Sequence, residues 1–187
     1  CPSVSADSPT EAQKQAAPEP VNLVGDPNKT PIELQYVGVK EHLGGAVDLG
    51  LTFTSGEDGK VHALRDFIDP KKPTIVNLVY FECPMLCTMV LNGVNDGMIG
   101  LDWTIGNQFN VLTVSIDPKE TSDEAQAKKA AYVDHYLAGR TQQIQTEEQK
   151  AAVRNGWHFF TGTEANVKSI ADQHGFSFKY DKIQKQF

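Results

Sequence analysis

Short stretches of apolar residues, some alternating with polar ones and some nearly continuous, predict that much of the chain forms β-strands. Residues 48–54 alternate apolar and polar side chains, which is typical of a strand with one buried face. Residues 74–81 are mostly apolar and rich in β-branched side chains, so we expect a buried central strand there. The other predicted strands lie at residues 61–64, after an Asp58-Gly59 hairpin turn, and at residues 109–116, 158–160 and 176–180.

Segments with helical spacing of apolar residues alternate with these strands. Thr121 and Glu124 form a capping-box pattern that predicts a helix over residues 121–137. We expect Ala130, Val133 and Leu137 to share its buried face. The other predicted helices cover residues 85–98, a short segment after Thr146, and residues 161–174, where a second capping box begins at Thr161 and Gly175 is a C-cap signal. Strands that alternate with helices in this way predict an α/β fold with parallel crossover connections.

The composition is that of one globular domain with additional tail residues. The chain has 187 residues, of which 40% are hydrophobic and 22% charged. Its net charge is −7 and no basic run stands out, so it lacks the electrostatic footprint of a nucleic-acid-binding protein. The longest strongly apolar stretch, residues 74–81, is far shorter than the roughly 18 residues that indicate a membrane span.

The first residue is Cys1 rather than methionine, and the residues after it favour a tether. Bacterial lipoprotein maturation leaves a lipid-bearing cysteine at position one. Residues 1–31 contain most of the ten prolines and few large apolar side chains, so they bury too little apolar surface to order themselves. We therefore expect a lipid anchor on Cys1, a flexible tether over residues 1–31, a folded domain over residues 32–187, and a periplasmic, membrane-anchored protein. The alternative is a chain boundary that happens to fall on a cysteine.

The other two cysteines, Cys83 and Cys87, lie where a predicted buried strand ends and a helix begins. Helix N-termini carry partial positive charge and favour thiolates, and ligands bind at strand ends in open α/β sheets. Residues four apart near the start of a helix lie on one side of it, so two sulfurs come within reach of one ion. Two thiolates suit a soft ion such as Cu(I), and they also close into a disulfide if their Cα atoms are near enough. The alternative is a pair of buried structural cysteines.

Three sequence segments stand out in the folded part of the chain: Tyr80-Phe-Glu-Cys83-Pro-Met-Leu-Cys87, Val114-Ser-Ile-Asp-Pro118 and Gly156-Trp-His-Phe-Phe-Thr-Gly162. Together they resemble the Sco/SenC family of copper chaperones, over residues 48–187. The resemblance implies a thioredoxin-like fold with a central mixed sheet and flanking helices. It also implies copper as the bound metal, Cys83 and Cys87 as ligands, and either copper delivery to the dinuclear CuA centre of cytochrome c oxidase or reduction of the cysteines of that centre.

The chain departs from the family pattern in three ways. Thr88 stands where many relatives have proline after the second cysteine, and Thr121 where many have aspartate. The family also carries a metal-binding histidine beyond a strand that would follow Tyr180, whereas this sequence ends at Phe187. We therefore expect the chain to be cut short at its C-terminus and the third ligand to lie beyond Phe187. We do not expect His42, His62, His135, His158 or His174 to replace it.

Two further residues near the cysteines have candidate roles. The thioether of Met85 is a soft copper ligand, although the three methionines (Met85, Met89 and Met98) more commonly fill gaps in a core. Asp117, at the end of a predicted strand, either orients the loop that carries Cys83 or caps the turn into the next helix.

The sequence leaves three functions open. The leading one is a copper-binding assembly factor, a binding protein rather than a turnover enzyme, with cytochrome c oxidase or another respiratory membrane complex as its partner. The second is a membrane-tethered thiol-disulfide oxidoreductase that uses Cys83 and Cys87 as a redox pair. The third is an accessory subunit of a respiratory complex. The same two sulfurs serve the first two functions, so their spacing does not separate them.

Overall fold

The computed structural model describes residues 37–82 and 86–180, in which strands and helices alternate largely as the sequence predicts. The strands are β1 (Gly38–Val39), β2 (Thr52–Ser55), β3 (Val61–Ala63), β4 (Thr74–Val79), β5 (Asn110–Ser115), β6 (Trp157–Thr161) and β7 (Phe176–Ser177). The helices are α1 (Leu86–Ile99), α2 (Ser122–Gly139), α3 (Glu147–Gly156) and α4 (Glu164–Gln173). The predicted tether at residues 1–31 and the anchor Cys1 lie outside the described residues.

Five of these strands form one mixed sheet in the order β3-β2-β6-β5-β4. The β4–β5 and β5–β6 pairs are parallel, whereas β2 pairs antiparallel with both β3 and β6. Parallel neighbours need a crossover connection, and α1 supplies the one between β4 and β5. The predicted mixed sheet with flanking helices is therefore confirmed.

The central strand of this sheet is β6, which lies between β2 and β5, and the prediction of a central strand over residues 74–81 is wrong in that respect. Every residue of β5 is buried, whereas most residues of β4 are only partly buried. In the described part of the chain β4 pairs with β5 alone and is an edge strand. Its apolar sequence reflects the layers that cover both faces of the sheet, and apolarity alone does not report whether a second strand flanks it.

The side chains on the two faces of the sheet belong to two separate hydrophobic cores, because successive residues of a strand point to opposite sides. In β6, Trp157 and Phe159 belong to one core, which also contains residues of α1, α2 and α3. Phe160 belongs to the other core, which contains residues of α4. Helices on both faces leave the ends of the parallel strands as the place where side chains from several elements meet.

A buried polar ladder crosses the face of the sheet that α1 and α2 cover. Thr113 of β5 accepts hydrogen bonds from Trp157 Nε1 of β6 at 3.0 Å and from Asn77 Nδ2 of β4 at 3.3 Å. Thr113 pairs directly with Asn77, and Trp157 pairs with Val111, which is two residues before Thr113 and so lies on the same face of the sheet. One hydroxyl therefore satisfies a polar group from each neighbouring strand.

The capping box predicted for α2 is confirmed, whereas the one predicted for α4 begins at the wrong residue. Thr121 caps α2 and forms the predicted box with Glu124, and Thr146 caps α3. The cap of α4 is Thr163, which accepts the Asn166 N–H, whereas Thr161, the predicted start of the capping box, is the last residue of β6. Threonine suits both strands and caps, so the spacing alone did not distinguish them.

The buried face of α2 differs from the predicted one. Val133 is buried and Leu137 partly buried as expected, but Ala130 is exposed. Tyr132 and Tyr136 are buried beside Val133. Tyrosine combines a large apolar body with a polar tip, and these two rings make most of the face.

The last predicted strand is shorter than expected and pairs outside the main sheet. Only Phe176–Ser177 is extended, as β7, and it pairs antiparallel with β1 in a two-stranded sheet. Gly175, the predicted C-cap, has a φ of +68°, and a Cβ there would lie 1.6 Å from the Lys40 carbonyl oxygen. Glycine is therefore required by both the backbone conformation and the close approach of β1.

No helix in the part of the chain that the structure describes has the length and hydrophobicity needed to cross a bilayer.

Candidate thiol site

Cys87 lies in the first turn of α1, immediately after the connection from β4. This confirms that the cysteine segment joins a buried strand to a helix, as the sequence predicts. Cys83, Pro84 and Met85 lie outside the described residues, as does Cys1, so the assignment of Cys83 and Cys87 as a ligand pair stays a prediction.

The sulfur of Cys87 is half-buried and lies against backbone. It packs against the core that α1, α2 and α3 share. The Tyr80 N–H, just beyond the end of β4, donates a hydrogen bond to Cys87 Sγ at 3.5 Å. The first turn of α1 contains no acidic side chain, and a helix N-terminus stabilises negative charge. The surroundings of this sulfur therefore suit a thiolate.

The end of β5 lies beside this connection because β4 and β5 are parallel and in register. Val79 pairs with Ser115, and the Ile116 N–H donates to the Val79 carbonyl at 2.7 Å. The turn that follows β5 is therefore carried next to residues 80–82, which lead from β4 to Cys83. Two parallel strand ends thus meet at the site, as the rule for ligand sites in open α/β sheets predicts.

Glu120, in that turn, holds the connection directly. Its Oε1 accepts the Glu82 N–H at 2.7 Å, and its Oε2 accepts the Ser115 hydroxyl at 2.5 Å. The residue is only 9% exposed. Burial raises the pKa of Glu120 above its usual value, the hydrogen bonds from Ser115, Phe81 and Glu82 oppose this, and the charge of Asp117 adds to it. Sequence reasoning missed this residue, since a glutamate in a polar turn carries no distinguishing pattern.

Asp117 has the second of the two roles considered for it. Its Oδ1 accepts the Lys119 N–H at 2.9 Å, and its own N–H donates to Ser115 Oγ at 3.0 Å. Both contacts are internal to the turn that leads into α2. The contact with the segment before Cys83 is made by Glu120 instead.

The methionines are placed differently from one another. Met98 is 2% exposed and belongs to the core, as the gap-filling alternative predicts. Met89 is 62% exposed on α1, and Met85 lies outside the described residues. Met98 is therefore excluded as a surface ligand, and the candidate role of Met85 stays a prediction.

The five histidines are dispersed over the domain. Their side-chain partners are Asp58 for His62, Asn95 for His135, Glu57 for His158 and the Ile170 carbonyl for His174, while His42 is exposed. Within residues 37–82 and 86–180, no three His, Cys, Asp or Glu side chains are grouped so that they could hold a metal ion.

The chain is similar to one protein family over most of its length. The family model described as SCO1/SenC matches residues 51–186. No match was found among curated proteins.

Solved structures that are similar to the chain include the following three. A candidate electron transfer protein from Aquifex aeolicus VF5 has a TM-score of 0.56 and 20% identity, over 75% of this chain and 70% of that one. A candidate electron transport protein from the same organism has a TM-score of 0.50 and 22% identity, over 73% of each chain. Arabidopsis thaliana ScoI, solved with copper bound, has a TM-score of 0.44 and 18% identity, over 67% of this chain and 65% of that one. At these identities the two Aquifex aeolicus structures support the fold alone.

Proposed function

Because this chain belongs to the SCO1/SenC family, we propose that it is an extracytoplasmic copper-binding assembly factor for cytochrome c oxidase. In this proposal Cys83 and Cys87 bind copper and pass it to the CuA centre of the oxidase. The observation that carries the proposal is the position of Cys87. Its half-buried sulfur lies in the first turn of α1, beside the ends of two parallel strands.

The donor chemistry at this position fits copper as a cargo. Thiolate sulfur is a soft ligand that favours Cu(I), and a second thiolate four residues away in sequence supplies the second donor. The Tyr80 N–H directed at Cys87 Sγ and the N-terminus of α1 both stabilise a thiolate. A metal held by few thiolates also remains open to exchange with the ligands of a receiving site.

A second candidate function uses the same two sulfurs as a reductant. Two thiols that form a disulfide release two electrons and two protons, and a disulfide on a partner takes up both to become two thiols. The position of Cys87 at a helix N-terminus supports this reading too, because thiol-disulfide exchange begins with attack by a thiolate. The family membership favours copper as the first proposal.

Copper titration tests the first proposal. We expect the reduced chain to bind one Cu(I), measured by competition with a chromogenic chelator, and Cys83→Ala and Cys87→Ala each to lose most of that affinity. Cys1→Ser is the matched control, since it removes the third cysteine and should bind as the wild type does. Equal copper retention in all four proteins would overturn the proposal.

Transfer to a CuA domain separates the two functions. The copper-loaded chain should metallate a reduced CuA domain, whereas the reduced, metal-free chain should leave an oxidised CuA domain as a disulfide. Alkylation followed by mass spectrometry counts the thiols on both partners. If the metal-free chain reduces that disulfide and the loaded chain transfers no copper, the oxidoreductase reading replaces the chaperone reading.

A further inference from the structure

The segment that leads from β4 toward Cys83 is held by hydrogen bonds from its backbone N–H groups. The Tyr80 N–H donates to Cys87 Sγ at 3.5 Å, and the Glu82 N–H, two residues later, donates to Glu120 Oε1 at 2.7 Å. The first contact ties the segment to the thiol site. The second ties it to the turn after β5. A displacement of Glu82 is therefore transmitted through two residues to the donor that faces the sulfur.

The acceptor of the second contact is a built feature of the domain. Glu120 is nearly buried, and its other carboxylate oxygen accepts the hydroxyl of fully buried Ser115. That hydroxyl also accepts the Asp117 N–H at 3.0 Å, so the turn is held around it. A buried carboxyl group is unfavourable unless hydrogen bonds satisfy it, and here the segment that precedes Cys83 supplies such bonds from the backbone of Phe81 and Glu82.

We propose that Glu120 is a positioning residue for the thiol site, which fixes the Glu82 backbone and so keeps the Tyr80 N–H directed at Cys87 Sγ. The inference rests on the proposed function in so far as copper binding is the activity that the site performs. The role belongs to the length and hydrogen-bonding capacity of the side chain. Its negative charge is not required.

Three substitutions separate reach from charge. Glu120→Gln keeps the length, since its amide oxygen can accept the Glu82 N–H and its NH₂ group can donate to Ser115 Oγ. Glu120→Asp keeps the charge but is one methylene shorter, so it no longer reaches Glu82. Glu120→Ala removes both. Glu148→Ala, which deletes an exposed carboxylate on α3, is the control.

Two quantities are measured for each variant. They are the amide hydrogen exchange rate of Glu82 in the reduced, metal-free protein and the Cu(I) affinity, determined by chelator competition. We expect Glu120→Ala and Glu120→Asp to speed exchange at Glu82 and to weaken Cu(I) binding, each about tenfold, the effect of losing one buried hydrogen bond. Glu120→Gln and Glu148→Ala should stay within about twofold of the wild type in both measurements, by the same argument.

The opposite pattern, with Glu120→Asp like the wild type and Glu120→Gln like Glu120→Ala, would overturn the inference, because charge would then be the property that matters. So would faster exchange at Glu82 with unchanged copper affinity. If the wild type itself binds no copper, the proposed function fails, while the exchange measurement still decides whether Glu120 holds Glu82. Should Glu120→Ala not fold, the comparison of Glu120→Asp with Glu120→Gln decides the question alone.

Discussion

Glu57, in the turn between β2 and β3, accepts a hydrogen bond from His158 Nδ1 of β6 at 2.7 Å, although 101 residues separate the two in sequence. Lys129 of α2 donates to the same carboxylate oxygen. Burial by itself would raise the pKa of Glu57, but the hydrogen bonds and positive charges of His158 and Lys129 outweigh it and lower the pKa to about 2. One carboxylate thus joins a hairpin, a helix and a strand.

Substitution of Glu57 should make the free energy of unfolding of the domain less dependent on pH in the acid range. A carboxyl group whose pKa is lower in the folded state stabilises the fold above its unfolded pKa, here 4.5, and that contribution is lost as the pH falls toward about 2. At pH 7 we expect Glu57→Gln to lower the free energy of unfolding by about 1–2 kcal/mol, allowing for the partial exposure of the carboxylate. Urea denaturation between pH 7 and pH 3 measures the difference.

The difference between wild type and Glu57→Gln should shrink as the pH falls below 4.5. Glu147→Gln is the control. It removes an exposed carboxylate that pairs with Lys150 on the surface of α3, and its difference from the wild type should be smaller than that of Glu57→Gln throughout this range. A difference for Glu57→Gln that stays constant from pH 7 to pH 3 would show that the shape of the side chain matters and its ionisation does not.

Gly175→Ala should destabilise the domain more than an alanine at another glycine of the same backbone conformation. The new Cβ would combine the strain of a positive φ with a clash against the Lys40 carbonyl, so we expect a loss above about 2 kcal/mol in the free energy of unfolding. Gly59 is the matched control. Its φ is +66°, and its nearest contact would be Ser122 Oγ at 3.6 Å. Gly59→Ala should lose only about 1 kcal/mol, and equal losses in thermal denaturation would contradict the role of the clash.

The Thr113 hydroxyl should contribute more to the free energy of unfolding than its small size suggests. Thr113→Val keeps the shape of the side chain but leaves the indole N–H of Trp157 and the amide of Asn77 without their acceptor. Unsatisfied buried donors of this kind destabilise by about 1–3 kcal/mol. Thr113→Ser keeps the hydroxyl and loses only a methyl group, for about 1 kcal/mol. Chemical denaturation of both variants tests this, and a larger loss for Thr113→Ser would show that packing of the methyl group dominates.

If Cys1 is a lipid anchor, the mass of the protein should exceed the mass of the unmodified chain by that of its acyl groups. Protein taken from native membranes should carry acyl groups on residue 1, because two chains hold a protein stably at a bilayer whereas one does not. Intact-mass spectrometry measures the modification, and Cys1→Ser should appear in the soluble fraction. An unmodified Cys1 in the membrane-derived protein would refute the anchor.

The order of strands and helices was predictable because each element has its own periodicity of apolar residues. The position of β4 in the sheet was not. Its residues are apolar because the core that contains residues of α1 lies on one side of it and the core that contains residues of α4 lies on the other. An edge strand that is covered on both faces has the same composition as a central strand. The cap of α4 was misplaced by two residues for a similar reason. Thr161 and Thr163 are both suited to the start of a helix, and only the pairing of Thr161 with Thr54 assigns it to β6.

The site was predictable only where side chains themselves mark it. Cys87 stands out because cysteine is rare in this chain and follows a buried strand. Glu120 does not, since its partner is a backbone N–H that every residue except proline possesses. That contact exists because the parallel register brings Ser115 beside Val79, a relation between distant segments that no local pattern contains. We predicted a role in orienting the loop for Asp117 instead, because it lies at the end of a predicted strand.

The pairing of β1 with β7 has consequences for the order in which parts of the domain fold and unfold. It joins residues 38–39 to residues 176–177, so it closes a loop that contains the whole main sheet. Closure of so long a loop carries a large entropy loss, and only two residue pairs, mostly exposed, offset it. We therefore expect this pairing to form after the sheet and to open before it. Amide protons of β1 and β7 should exchange through local opening, while those of β5 should exchange only when the domain unfolds.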